Sequence, residues 1–319
     1  MAAANLTEFV SASLRNWRKT LADNVTLHNA LLFYLEDNDK IEKTDGGRVL
    51  DEPLIYPTNG NTSAKWYSGY DAFSPPVSSE VFDAAEYQWK QLGGFISVSG
   101  IEEHINSAEW KRVDYAKARL QQLEATMENL VGAACYADGT GTSGKEPGGL
   151  QYLIPDDPTA AGTVGGINQV TQTFWRNQFS AAAATDSTNI AQRMEAMYLA
   201  CLRGSDKPDL ITANSDMFTY YWNSLQAQQR FANGDDPPKG GFRQLKFNMS
   251  DVIYDVQCPL KHMYFINTKT LKLRCADTDL FDVGSPRTIQ NADYKVIPVW
   301  MYGNFTCNNR ARNGVIIST

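Results

Sequence analysis

The feature that most constrains the fold is a long stretch, residues 107–137, with the pattern of one amphipathic helix. Neither proline nor glycine interrupts residues 107–131, and apolar side chains recur there every three or four positions. Asn106 or Ser107 can cap its start, and Gly139 follows its end. At about 1.5 Å per residue such a helix is about 46 Å long. We predict a spine helix lying across a sheet. A coiled coil is the weaker alternative, because the seam lasts only about three heptads with few flanking charge pairs.

A second constraint is the aromatic-rich region 45–100, which precedes the helix. Proline, glycine and asparagine divide it into strand-like runs at 48–56, 64–70 and 81–91. We predict a long twisted hairpin, which has more apolar surface than it can bury against itself. Its surface therefore predicts contact with another subunit. The candidate contact residues are Arg48, Lys65, Trp66, Tyr67, Tyr70, Phe73, Tyr87 and Trp89.

Turn-forming residues also separate the helix and strand patterns in the rest of the chain. Residues 6–36 read as an amphipathic N-terminal segment, and the glycine- and proline-rich stretch 138–169 marks a domain boundary. Beyond it, the patterns predict two further helices and a strand-rich end. The helices fall at 187–203 and 215–231, and the strands at 209–212, 245–249, 252–254, 263–267, 271–275 and 295–307.

Composition narrows the class of protein. The formal net charge is -7 over 319 residues, so contact with DNA is expected to be weak and non-specific. The five cysteines are widely spaced, which is typical of reduced, buried thiols. The N-terminus lacks the pattern of a signal peptide, and the longest apolar runs are too short to span a bilayer. We expect synthesis in the cytoplasm and no membrane partner.

Signatures of catalysis are scarce. The three histidines form no metal-binding pattern, and no serine or cysteine has the surroundings of a nucleophile. The glycine-rich string 139–145 follows a helix and lacks the ending of a phosphate loop, so we interpret it as a hinge. Asp235 and Asp236 are interpreted as solvated surface carboxylates, with metal coordination as the alternative that stays open. The sequence predicts no enzyme activity, no cofactor and no metal site.

The order of these parts resembles the HK97-fold major capsid proteins of tailed bacteriophages over nearly the whole chain. Several local strings are also similar to that family, and their order and spacing are more specific than any one of them. They are 148–154 (GGLQYLI), 163–168 (TVGGIN), 174–177 (FWRN), 209–211 (DLI), 220–222 (YYW), 263–271 (MYFINTKTL) and 303–314 (GNFTCNNRARNG).

The resemblance implies an α+β fold with an N-terminal arm, an extended β-hairpin loop, a peripheral domain with the spine helix, and an axial α/β domain. The corresponding segments are 1–44 for the arm, 45–100 for the loop, 101–160 for the peripheral domain, 161–290 mainly for the axial domain, and 291–319 for a long strand returning to the peripheral domain. Some members of the family cross-link a loop lysine to an asparagine of another subunit. Lys65 is a candidate by position, but no partner residue is matched.

The function that the resemblance implies is a structural subunit. Copies assemble into hexamers and pentamers of an icosahedral head around double-stranded DNA, with portal, scaffold and decoration proteins as further partners. The protein is expected in the virion capsid after synthesis in the bacterial host. Two alternatives stay open: the shell protein of an encapsulin-like nanocompartment, and a cytosolic enzyme with an unrecognised site.

Overall fold

In the residues that it describes, the computed structural model contains two six-stranded sheets with helices packed against them and two sheets of two strands each, which confirms the α+β class. The residues it describes are 29–56, 66–72, 82–105, 115–160, 162–182, 184–227, 244–276 and 281–318. The helices are α1 (Ala30–Asp37), α2 (Gly100–Ile105), α3 (Tyr115–Tyr136), α4 (Leu150–Leu153), α5 (Ile190–Cys201) and α6 (Ser215–Ala227). The strands are β1 (Ile41–Thr44), β2 (Leu50–Ile55), β3 (Phe82–Tyr87), β4 (Lys90–Ser99), β5 (Thr163–Val164), β6 (Ile167–Asn168), β7 (Gln178–Ala182), β8 (Leu210–Ala213), β9 (Gln244–Phe247), β10 (Ser250–Tyr254), β11 (His262–Ile266), β12 (Leu271–Ala276), β13 (Asp282–Val283), β14 (Arg287–Thr288), β15 (Tyr294–Cys307) and β16 (Gly314–Ser318).

The first sheet, which we call the peripheral sheet, is built around the long strand β15. Along one side, β15 pairs antiparallel with β4, from Tyr294 opposite Ser99 to Gly303 opposite Lys90. Along the other side it pairs in turn with β12, β13 and β14. The short strand β1 lies parallel to β12 at the margin of the sheet.

The spine helix α3 lies against one face of this sheet. Its residues Met127 and Val131 are buried in the same core as Met301 and Phe305 of β15. Burying an aliphatic side chain of this kind stabilises the fold by roughly 1.5–3 kcal/mol. The predicted helix across a sheet is therefore confirmed for the described residues 115–136. Residues 106–114, with the predicted caps, lie outside the described part of the chain.

The second sheet, which we call the axial sheet, has the order β7-β16-β11-β8-β10-β9. Helices α5 and α6 pack on it and form a separate core. That core contains Ile190, Met194, Met197, Met217, Phe218, Tyr221, Met263, Phe265 and Ile316. The helices predicted at 187–203 and 215–231 are confirmed within the described residues, and the strand predicted at 209–212 is β8.

Strand pairing departs from the predicted domain borders in three places. Within 291–319, β15 lies in the peripheral sheet, but β16 crosses into the axial sheet between β7 and β11. Strands β12, β13 and β14 fall within 161–290 yet belong to the peripheral sheet, and β1 leaves the predicted arm to join it too. The reason is physical: alternation along a chain identifies a strand but carries no information on which strand it pairs with.

A buried arginine holds the crossing from β15 to β16. Arg310 is 0% exposed and donates to the carbonyl oxygen of Leu153 (2.6 Å), to Oε1 of Gln169 (3.2 Å) and to Oδ1 of Asn177 (3.3 Å). Its guanidinium also lies 5.8 Å from the ring centroid of Trp175. Burial lowers the pKa of Arg310 to about 10, because the charged form has left water for neutral acceptors.

The described part of the amphipathic N-terminal segment contains helix α1. Asn29 caps it, accepting from the Leu32 N–H at 2.7 Å, and Oδ2 of Asp255 accepts from the Leu31 N–H at 3.1 Å. The same carboxylate accepts from the Tyr136 hydroxyl at the end of the spine helix, at 3.0 Å. Asp255 therefore ties the start of α1 to the end of α3. Residues 1–28 lie outside the described part of the chain.

The hairpin region is only partly as predicted. β2 and β3 pair antiparallel from Leu50 opposite Tyr87 to Ile55 opposite Phe82. The run predicted as one strand at 81–91 divides after Tyr87, because β3 pairs with β2 whereas β4 pairs with β15. The strand predicted at 64–70 is wrong in its described part, which contains a turn instead. None of the helices that the structure describes has the length and apolar character needed to cross a membrane.

Candidate assembly surfaces

The base of the β2–β3 hairpin is anchored firmly in the protomer. The Tyr87 hydroxyl donates to the Cys307 carbonyl oxygen at 2.9 Å inside the core, and burial raises the pKa of Tyr87 well above its ordinary value. The Trp89 indole N–H donates to the Gly47 carbonyl oxygen at 3.0 Å. Both aromatic residues therefore hold the hairpin to its own chain.

A buried carboxylate reinforces this anchor. The outer residues of β2 alternate with inward ones, which places Glu52 inside, 4% exposed. Its Oε1 accepts from the Thr306 hydroxyl at 2.9 Å and lies 3.1 Å from Nε of Arg274. Arg274 also donates to the Asp51 carbonyl oxygen at 2.9 Å. The hairpin thus leaves the peripheral sheet from a base fixed by hydrogen bonds and an ion pair.

Exposure rises along the hairpin away from this base. The cross-strand pair Ile55 and Phe82 is 73% and 77% exposed. In the described part of the segment between the strands, Trp66 and Tyr70 are 102% and 105% exposed. Large apolar side chains in that number and at that exposure mark an interaction surface.

The structure sorts the candidate contact residues into three groups. Arg48, Trp66, Tyr67 and Tyr70 are exposed, as an interface requires. Tyr87, at 2% exposed, is corrected to a core residue, and Trp89 is half-buried against that core. Lys65 and Phe73 lie outside the described residues. Sequence reasoning missed Ile55 and Phe82, although alternation from the buried Leu50 places Ile55 on the outward face of β2.

Two further exposed apolar areas lie on the sheets. On the face of the peripheral sheet away from the spine helix, Phe95 packs edge-on against Trp300 with ring centroids 5.0 Å apart, and Phe95 is still 59% exposed. On the axial sheet, Met249 in the β9–β10 turn is 82% exposed and Leu260 before β11 is 77% exposed. Several faces of the protomer are therefore suited to contacts between proteins.

A cavity of about 530 Å³ opens between the spine helix and the peripheral sheet. Its lining is mostly apolar, with lysines and a glutamate at the loop side. It is formed by Lys90, Gln91, Leu92, Gly93, Leu130, Val131, Ala133, Ala134, Ala137, Thr142, Lys145, Glu146, Pro147, Leu273, Met301, Gly303 and Phe305. The volume falls within the range of small-molecule pockets.

The chemistry of the described residues is that of packing. They contain no cluster of three or more metal-ligating side chains, and Asp235 and Asp236 lie outside them. All five cysteines are buried as free thiols, and burial raises the pKa of each one. His262 and Asp156 form a further polar pair, in which Nε2 of His262 lies 3.1 Å from Oδ2 of Asp156.

Solved structures with this arrangement include several capsids. The chain is similar to a protein of the Cyanophage A-1(L) capsid asymmetric unit, with a TM-score of 0.66 at 14% identity, covering 94% of this chain and 95% of that one. It is also similar to a capsid protein of Myoviridae Phage XM1, with a TM-score of 0.59 at 11% identity, covering 96% and 97%. The chain has the HK97-like fold of phage capsid proteins.

A similar fold is also found in an encapsulin complex. An encapsulin complex from Synechococcus elongatus PCC 7942 aligns with a TM-score of 0.56 at 10% identity, covering 99% of this chain and 96% of that one. Neither a protein-family model nor a curated protein sequence matches the chain. At these identities the likeness establishes the fold, and it confirms the fold expected from the order of the sequence elements.

Proposed function

We propose that the protein is a shell-building subunit, the major capsid protein of a tailed bacteriophage. Copies assemble into hexamers and pentamers that close into an icosahedral head around double-stranded DNA. The observation that carries this proposal is the β2–β3 hairpin, which has a base fixed in the protomer and an apolar end that its own chain leaves exposed.

The energetics of the hairpin favour a role between subunits. Burying each exposed aromatic ring against a neighbour contributes roughly 1.5–3 kcal/mol. A rigid base lowers the entropy lost when the hairpin docks. Because every subunit in a shell gives and receives such contacts, modest contacts add up to a stable assembly.

The proposal extends to partners and place. In the virion, the protein forms the wall of the assembled head. A portal, a scaffold and decoration proteins are its further partners during assembly of that head. The net charge of -7 suits a wall that contacts packaged DNA weakly. We propose no catalytic role, because the described polar clusters form packing and anchoring contacts.

A second candidate is the shell of an encapsulin-like compartment, which the likeness to the Synechococcus elongatus complex favours. Both functions share the fold and the subunit contacts, and they differ in what the shell contains. Nucleic acid inside purified particles supports the phage head, whereas a protein cargo supports the compartment.

The proposal is tested by producing the chain in bacteria and imaging the purified material by negative-stain electron microscopy. We expect closed shells, capsomers or tubes of uniform diameter. A stable monomer at every concentration and salt condition tried, with or without a co-expressed scaffold, contradicts the proposal.

A matched pair of variants tests the part played by the hairpin. Replacing both Ile55 and Phe82 with serine is expected to abolish particles while the circular dichroism spectrum and thermal midpoint stay unchanged, because both side chains are exposed in the protomer. Replacing Met249 with serine controls for the loss of an exposed apolar side chain elsewhere. Normal particles from the double variant contradict the role of the hairpin.

A further inference from the structure

The chain carries both an apolar cavity, between the spine helix and the peripheral sheet, and an exposed apolar side chain of suitable size, that of Trp66. We propose that the cavity receives the indole of Trp66 from a second copy, so that each subunit carries both the knob and the hole of one repeated contact. This inference rests on the proposed shell function and names the place where the end of the hairpin docks.

The cavity has the character of a site for a large apolar side chain. Leu130 and Ala133 of the spine helix form one wall, and Leu92 and Met301 of the peripheral sheet form another. Leu130 is 53% exposed, although it belongs to a helix whose neighbouring Val131 is fully packed. An occupant would therefore cover apolar surface that the protomer leaves open.

The loop that closes one end of the cavity is held in an unusual conformation. Thr142, Ser143 and Gly144 all have positive φ, and the Thr142 hydroxyl donates to Oε1 of Glu146 at 2.7 Å. The Lys90 ammonium donates to the Gly144 carbonyl oxygen at 2.5 Å. These contacts fix the loop beside the cavity, where Thr142, Lys145 and Glu146 belong to its lining.

The chemistry of the cavity lining selects an indole. Lys90 and Lys145 both line the cavity, and Lys145 is exposed. An ammonium over an aromatic ring is attracted most strongly by tryptophan. A buried indole N–H needs an acceptor, which the Glu146 carboxylate provides. Trp66 is the most suitable knob, since it is the largest of the exposed aromatic residues described between β2 and β3 and is 102% exposed.

A second copy is the occupant that the chain itself supplies. A knob and a hole at different places on one surface make a heterologous contact, which propagates from subunit to subunit and gives a ring when the rotation between copies closes. Rings of this kind are what hexamers and pentamers require. The cavity volume of about 530 Å³ leaves room for the indole together with ordered water.

Photo-cross-linking of assembled particles tests the contact directly. The photoreactive amino acid p-benzoylphenylalanine is placed at position 66, and this protein is co-assembled with heavy-isotope-labelled wild-type chains. After irradiation, mass spectrometry is expected to find light-to-heavy peptide pairs that join position 66 to peptides containing Leu130, Pro147 or Met301. Cross-links only within one chain, or only to surfaces away from the cavity, overturn the proposal.

A filling variant gives a second, independent readout. Ala133→Phe places a ring in the cavity from an exposed position of the spine helix, and Gln121→Phe adds the same ring to the same helix away from the cavity. We expect Ala133→Phe and Trp66→Ala each to raise the concentration needed for assembly at least 10-fold, and the double variant to raise it no further. Gln121→Phe is expected to assemble as the wild type does.

The outcomes separate this proposal from the shell function. If Ala133→Phe assembles normally, or if its effect multiplies with that of Trp66→Ala, the docking proposal fails while the shell function stands. If the wild-type chain forms no particles, the shell function itself fails.

Discussion

Replacing Arg310 with methionine tests how the two sheets are joined. The methionine side chain preserves much of the buried aliphatic stem but removes the guanidinium. Three acceptors then lose their donor: the Leu153 carbonyl oxygen and the amide oxygens of Gln169 and Asn177. All lie around the turn that carries the chain from β15 to β16, so the junction of the sheets is weakened where the chain crosses.

The magnitude follows from the number of acceptors. Each buried acceptor left without a donor costs about 1–3 kcal/mol, and removing a buried, desolvated charge offsets part of the total. We expect the free energy of unfolding to fall by about 3 kcal/mol. Arg310→Lys should lose less, because an ammonium reaches one or two of the acceptors but lacks the planar fork that serves all three.

Urea unfolding of unassembled subunits, followed by tryptophan fluorescence, measures the change. Arg312→Met is the matched control, because Arg312 lies in the same turn but pairs with Asp206 at 3.8 Å near the surface. A surface pair of this kind contributes about 0–1 kcal/mol. If Arg310→Met is within about 1 kcal/mol of the wild type, or no less stable than Arg312→Met, the reasoning about the buried junction is refuted.

Two further predictions concern the spine helix end and the axial sheet. Gly149→Ala should leave little soluble protein on expression, because the added methyl group would overlap the Ala134 carbonyl oxygen. The control is Gly69→Ala, which should express as the wild type does because nothing lies within 4 Å of the added methyl group. Equal yields of the two variants contradict the close packing around Gly149. For His262, burial lowers the pKa, but hydrogen bonds from the ring to Asp156 and to a backbone carbonyl oxygen outweigh it, so the net shift is upward. The stability due to charged His262 is therefore fully present below the unfolded pKa of about 6.5 and is lost as pH rises through the raised folded value. The difference in unfolding free energy between wild type and His262→Asn should be largest below about pH 6.5 and shrink as pH rises above it, and a constant difference contradicts the pairing.

The spine helix and the axial helices could be predicted because their signals are local. Apolar residues recur at helical spacing through the described part of 107–137, and burial of Met127 follows from that spacing, whereas Leu130, which the same spacing places on the apolar face, is 53% exposed. The strand at β12 was predictable for the same reason, since its residues alternate between buried and half-buried.

Contacts between distant segments could not be predicted in this way. Tyr87 was predicted as an interface residue because an aromatic on a strand suits either an interface or a core. The choice is made by Cys307, which lies 220 positions further along the chain and accepts its hydroxyl hydrogen bond. The place of β16 in the axial sheet likewise depends on β7 and β11, which no local pattern identifies.

The candidate surface was foreseen in part. The exposed ring of Trp66 followed from a hairpin with too little core of its own, whereas the cavity lies between distant segments and is lined in part by a loop with left-handed residues at Thr142 and Ser143. Non-glycine residues adopt that conformation rarely, and the surrounding structure decides where they do. The cavity therefore could not be predicted from the sequence pattern and required the three-dimensional structure.

A cryo-electron-microscopy reconstruction of the purified particles tests the central claim most directly. We expect closed icosahedral shells of fivefold and sixfold capsomers, in which each β2–β3 hairpin lies on a neighbouring subunit. Subunits that stay monomeric under all assembly conditions, or particles in which the hairpin contacts only its own chain, would contradict the account.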